Sequence, residues 1–210
     1  LILNLRNEAM RTRHWSQLQV EIGKTFDPTS DKFTLEKVFS LGLHKYADFV
    51  GSLSDIANKE LAIETSLIEI TRVWKTIDIE MGNYKDVYWK IRSTDDLFSQ
   101  LEDNMMALSQ MKASRFFATF KKQIVYWESA LSHMSEVIEL ALGVQRSWMY
   151  LESIFMTSED IRRQLPYEST LFDRVNGMQN ELWTSMSEKS NAIRATQQPE
   201  MLEKLQSMER

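Results

Sequence analysis

The sequence has no cysteine, and only six glycines and three prolines in 210 residues. The first absence excludes disulfide scaffolds, thiol catalysis and cysteine-ligated zinc or iron–sulfur centres, and it fits a reducing compartment. Scarce glycine and proline leave too little turn chemistry for a sandwich or barrel of many short strands. Positive charge is not in excess either: 25 Lys and Arg against 30 Asp and Glu give a net charge of −5. No basic field is therefore available to hold nucleic acid or an anionic membrane surface. No apolar run approaches the roughly 18 residues of a membrane span, and the residue order of a signal peptide is missing. The chain opens on Leu1, so the expectation is a soluble segment of a longer protein. What is present is 43% apolar residues, enough to fill a core, in patterns that point to long helices.

A helical stripe over residues 1–23, with Ile2, Leu5, Ala9, Trp15, Leu18 and Ile22, ends at Gly23, a residue suited to the left-handed C-terminal position. A turn cluster around Asp27 to Asp31 leads to Thr34, an N-cap for a short helix through Val38 and Phe39 that ends near Gly42. From Tyr46 to Ile77 apolar residues step by threes and fours, broken only by Glu60. That spacing predicts a helix of about 30 residues and about 45 Å. Apolar flanks at Val50, Ala57 and Val73 widen the stripe, which favours bundle packing within the chain; the alternative is a dimeric coiled coil with Glu60 as a register device.

Between Ile77 and Arg92 the period changes to two around Gly82 and Asn83, predicting a small hairpin that lies against helices because it is marginal alone. Thr94, followed by Asp95 and Asp96, supplies a capping oxygen and two carboxylates for a helix to about Met111. A second long helix spans about Phe120 to Met156, with core positions Trp127, Leu131, Met134, Ile138, Ala141, Trp148, Leu151 and Phe155. Thr157 with Asp160 marks a short helix ending by Pro166, helical pattern continues from Leu171 to Met186, and Gln197 to Pro199 separate a last helix from Glu200. The expected fold class is mainly α, an elongated bundle of long helices with a small β-hairpin, divided into 1–92 and 93–210.

Sites of chemistry are few. The six glycines never come close enough for a phosphate cradle. His14, His44 and His133 have no second histidine at helical spacing, so no metal site is expected. The pairs Asp95 with Asp96 and Glu102 with Asp103 could in principle do acid–base work, but a solvated, dipole-favoured face explains them better. A basic joint of Lys112, Arg115, Lys121 and Lys122 interleaves with Phe116, Phe117 and Phe120. Stacking of single-stranded nucleic acid is its sharper reading, and buried rings beside solvated cations the favoured one. Asp95, Asp96, Glu102, Asp103, Lys112, Arg115, Lys121 and Lys122 are kept as candidate docking surfaces. No catalytic, cofactor-binding or metal-binding residue is assigned.

The segments RTRHWSQL (11–18), MKASRFFATFKKQIVYWESAL (111–131), VQRSWMYLESIF (144–155) and SEDIRRQLPYESTLFDRVN (158–176) resemble, in order and spacing, the linker region of dynein heavy chains. KYADFVGSLSDIANKELAIE (45–64) is more similar to axonemal than to cytoplasmic heavy chains. The resemblance implies the N-terminal part of a mostly helical linker that crosses a ring of AAA+ modules and bends with the nucleotide state to drive movement toward microtubule minus ends. It implies that ATP and magnesium belong to that ring, and that microtubules and the intermediate and light chains meet other regions. The ring of the same heavy chain is then this segment's own partner, and neither nucleic acid nor membrane is expected. The implied location is cytoplasmic and cytoskeletal, in the axoneme of a cilium or flagellum. No position here matches the family's ATPase residues. The competing expectation is a non-motor helical scaffold or coiled-coil adaptor.

Overall fold

Two short apolar helices open the chain where the sequence pattern suggested one. In the computed structural model, which describes residues 1–209, α1 is Ile2–Leu5 and α2 is Thr12–Ile22. Asn7 causes the break: its Oδ1 accepts the Ala9 N–H at 2.9 Å, and its Nδ2 donates to Ser54 Oγ at 2.7 Å. A side chain that competes this well for backbone partners ends a helix. Gly23 closes α2 in the left-handed region at φ 64°, as expected. α3 (Leu35–Ser40) is capped by Thr34, whose Oγ1 accepts the Lys37 N–H at 3.3 Å. A 3-10 turn, Leu43–Tyr46, leads into α4, Ala47–Trp74.

The chain divides into two compact units at Leu67, inside α4; the hairpin therefore belongs to the second unit, whereas the sequence pattern placed a division after it. In the first unit Leu18, Leu43, Val50 and Ala57 are fully sealed, with Leu5, Ala9, Ile22, Val38 and Leu53 around them. Trp15 stands edge-on to both Phe26 and Phe33, which stack on each other at 5.2 Å. This aromatic trio holds the 24–33 loop down.

The second unit holds β1 (Met81–Tyr84), β2 (Tyr88–Ile91), α5 (Asp95–Ala113), α6 (Phe117–Phe155), α7 (Glu159–Gln164), α8 (Pro166–Glu188), α9 (Ala192–Thr196) and α10 (Met201–Glu209). Mainly α is thus the fold class, with one antiparallel hairpin among the described residues. At 39 residues, α6 is about 58 Å long. Its buried stripe runs through Ile124, Leu131, Met134, Ile138, Ala141, Trp148 and Phe155. α8 runs antiparallel to α6: Phe155 stacks on Phe172, the Trp148 indole donates to Asn176, and the Trp183 indole donates to Gln145.

Several local expectations change. Gly82 and Asn83 lie in β1, paired with Lys90 and Trp89, and the reversal is at Lys85 and Asp86. The Arg92 side chain lies across Gly82, so a Cβ there would make that arginine move aside. Thr94 precedes α5 but its side chain makes no cap; the Ser93 hydroxyl, 3.5 Å from the Asp95 N–H, stands nearer that role. For α7 the cap is Ser158, accepting the Ile161 N–H, while the Thr157 hydroxyl turns back to Ser153 O. Leu151 is exposed and Trp127 half-buried, because the core stripe of α6 turns toward Gln145 and Glu152 instead.

Candidate functional site

The most elaborate polar construction in the second unit is the joint between the hairpin and α6. Gln145, Trp148 and Glu152 are spaced by three and four residues, so α6 presents them on one face. Gln145 is buried, and its Oε1 accepts the Ile91 N–H at 2.7 Å while its Nε2 donates to Ile91 O at 2.9 Å. The same Oε1 accepts the Trp183 indole N–H at 2.7 Å. One side chain thereby ties β2, α6 and α8 together.

A turn further on, Trp148 receives the edges of Tyr84 and Tyr88, with ring centroids 5.7 and 5.0 Å away. At the hairpin tip the buried Glu152 carboxylate accepts from Lys85 Nζ at 2.6 Å and from the Tyr84 hydroxyl at 3.4 Å. That hydrogen bond holds the Lys85 ammonium above the usual lysine range. Lys85 and Asp86 both sit at positive φ, 53° and 58°, a conformation that costs a non-glycine residue about 1–2 kcal/mol. Root, middle and tip of the hairpin are each fastened to one helix.

The segment that leads from α4 to the hairpin is fastened as well. Asn191 donates to Trp74 O and Ile77 O at 3.0 and 3.2 Å, Ile79 N–H donates to Ser190 O, and Ala192 N–H donates to Ile77 O. The carbonyls at the end of α4 are satisfied by this loop rather than by solvent.

In the first unit the interruption of the α4 stripe, Glu60, is an internal anchor. Its Oε2 accepts from His14 at 2.8 Å and from Arg13 Nε at 2.6 Å, and Arg11 reaches Glu64 at 3.0 Å. His14 is a packed capping residue and not a metal ligand in waiting, since its Nδ1 accepts the Arg11 N–H at 2.9 Å. His133 Nε2 lies 3.1 Å from Thr196 O. Among the described residues no group of acids and histidines could hold a metal ion, and no helix is long and apolar enough to cross a membrane.

The charged residues singled out from the sequence are all exposed. Asp95 and Asp96 occupy the first turn of α5, with Glu102 and Asp103 two turns on. The fold brings Asp96 beside Asp78 and Glu80 around an open cavity of about 360 Å³. Lys112 is held by Glu128 at 2.8 Å, and the Arg115 guanidinium lies 4.8 Å from the Phe116 ring centre. Phe120 is buried and Phe116 and Phe117 half-buried, so the rings at the joint are packed. Lys121 and Lys122 extend from the first turns of α6. Gln145, Glu152 and Asn191 were not singled out, although the signal that marked Glu60, a polar residue set in an apolar stripe, applies to the first two.

Comparison with known proteins fits these helices. The family pattern described as dynein heavy chain, N-terminal region 2, matches residues 1–210. The chain is 48% identical over 208 residues to the Dynein-1-beta heavy chain of the flagellar inner arm I1 complex of Chlamydomonas reinhardtii, covering 99% of this chain and 5% of that one. It is 47% identical to Dynein axonemal heavy chain 2 of Homo sapiens and 35% identical to human Dynein axonemal heavy chain 10, with the same coverage of 99% and 5%. The chain spans about a twentieth of the length of these curated relatives. It belongs to the dynein heavy-chain family, as an N-terminal region of axonemal type.

Proposed function

We propose that this chain is part of the force-transmitting linker of an axonemal dynein heavy chain, a mechanical lever that performs no chemistry of its own. The observation that carries the reading is α6: 39 uninterrupted helical residues, buried along one stripe and fastened to a hairpin at three levels. Continuous burial resists bending far better than helix propensity alone. Family membership supplies the larger setting. In it, the full-length protein is an AAA+ ATPase motor, with ATP and magnesium in the ring, minus-end-directed movement on microtubules, and a place in the cytoskeleton of a cilium or flagellum. The linker's own partner is that ring, met through exposed charged surfaces such as Asp95 to Asp103 and Lys112 to Lys122. A ligand shifts a lever only by binding its two states differently, and in this reading the ring supplies that difference.

The coiled-coil adaptor, suggested by the seam from Tyr46 to Ile77, is disfavoured because Glu60, the residue that would set its register, is paired within the chain. Deleting the linker from an otherwise complete motor is expected to leave ATP hydrolysis running while microtubule gliding stops. Gliding at undiminished velocity after the deletion would sink the lever reading.

A further inference from the structure

The guanidinium of Arg162 closes the joint between α6, α7 and α8. Nη1 and Nη2 donate to the two carboxylate oxygens of Asp173, and Nε donates to Phe155 O at 2.8 Å. Nη2 directs a further hydrogen at Met156 Sδ, 3.9 Å away. Met156 is the C-cap of α6, and its side chain is open to solvent at 47% exposure. The other open methionine is Met106 on α5, whereas Met134, Met186 and Met201 are sealed in the core. A solvent-open thioether therefore stands against a cationic donor at the point where three helices meet.

We propose that Met156 is a site of reversible oxidation by peroxide, and that Arg162 captures the resulting sulfoxide, so that oxidation tightens the joint. A sulfur lone pair attacks one peroxide oxygen, and the S–O bond forms as the O–O bond breaks. The departing hydroxide takes the proton of the transferred oxygen and leaves as water. Sulfur is thereby oxidised by two electrons and peroxide reduced, and sulfoxide reductases return the thioether. A thioether is a weak acceptor, whereas a sulfoxide oxygen facing a guanidinium accepts a charge-assisted hydrogen bond. Directed at Nη2, the new oxygen stands nearer than the sulfur does, within the ordinary N–H···O range. The bonds to Asp173 persist, because the fork carries five N–H donors. In the core, the same oxygen would be buried without a partner and would disrupt packing. At Met156 it meets both solvent and a donor. The proposal rests on this contact and not on the lever reading.

The test treats the intact heavy chain in its assembled complex with dilute hydrogen peroxide. Peptide mass spectrometry reads the sulfoxide, and amide hydrogen exchange reads the order of α7. Sulfoxide is expected at Met156 at a dose that spares Met134 and Met186, with α7 exchange slowing about threefold. Methionine sulfoxide reductases of both epimer specificities are expected to restore the original exchange. Met156→Leu, which has no sulfur to oxidise, should show no slowing after the same treatment. Arg162→Gln, compared at equal sulfoxide content, should show none either. The proposal is overturned by the absence of sulfoxide at Met156, by α7 exchange that is unchanged or faster, by slowing that the reductases do not reverse, or by the same slowing in either variant.

Discussion

The side-chain amide of Gln145 meets the backbone of Ile91 as a neighbouring strand would, donating to its carbonyl and accepting from its N–H. A helix thereby satisfies the outer edge of a two-stranded sheet that would otherwise expose unpaired backbone groups. Replacing Gln145 with Leu keeps the volume and removes both bonds, together with the one to Trp183. Each buried group so orphaned costs about 1–3 kcal/mol. The expected loss of unfolding free energy is therefore at least about 3 kcal/mol, measured by urea denaturation. Amide hydrogen exchange at Ile91 should accelerate in parallel, and unchanged protection there would show that the clamp is not what holds the strand.

Glu60 gives a different balance, because one partner, His14, is sealed and the other, Arg13, reaches solvent. With Nδ1 accepting from Arg11, His14 in its neutral form donates from Nε2 to the carboxylate. Glu60→Leu strands that donor in an apolar core, whereas Arg13 already reaches solvent. The expected cost is about 1–3 kcal/mol. Light scattering should report the same oligomeric state for parent and variant, whereas a coiled-coil register device would change it.

The elements that could be read from the sequence are those in which one physical rule acts alone. Three-and-four spacing located α4 and α6, and a left-handed glycine closed α2 where Gly23 stands. Failures came where a side chain outcompeted the pattern. Asn7 broke the first helix through bonds to Ser54 and Asn58, residues 47 and 51 positions away, which local periodicity does not contain. The hairpin reverses at Lys85 and Asp86, where Glu152 holds the Lys85 ammonium at the tip, a position that the change of period between Ile77 and Arg92 does not specify. Tertiary partners of this kind override turn propensity. Gln145 and Glu152 lay within the α6 stripe in plain view, but a polar residue there announces only that a partner exists, not which one.

At Asp86 the positive φ makes the order of substitutions diagnostic. Glycine adopts this conformation freely but loses more entropy on folding, so Asp86→Gly is expected to stabilise by a few tenths of a kcal/mol to about 0.5 kcal/mol. Asp86→Val places a β-branched side chain in the left-handed region and should destabilise by roughly 1–2 kcal/mol. Thermal unfolding of the two variants beside the parent decides it. If valine proved as stable as glycine, the turn would not be held in this geometry in solution.

α7 is tied to α8 by Arg162, which donates through both terminal nitrogens to Asp173 and through Nε to Phe155 O. Hydrogen bonding to Arg162 lowers the Asp173 carboxyl below its ordinary value of 3.8. A depressed folded value means that the unfolded chain binds the proton more readily. The stabilisation is therefore fully present above the ordinary carboxylate range and disappears as pH falls through the folded value, below 3.8. Both side chains reach solvent, so the effect is small and weakens with salt. Following the Asp173 carboxyl by NMR from pH 6 to about pH 2 should place its midpoint below the ordinary aspartate value. In Arg162→Gln the Asp173 midpoint should rise toward the ordinary aspartate value and the α7 amides should lose protection, because the pair that bridges α7 to α8 is gone. A midpoint for Asp173 that stays low without the arginine would assign the depression to the helix rather than to the pair.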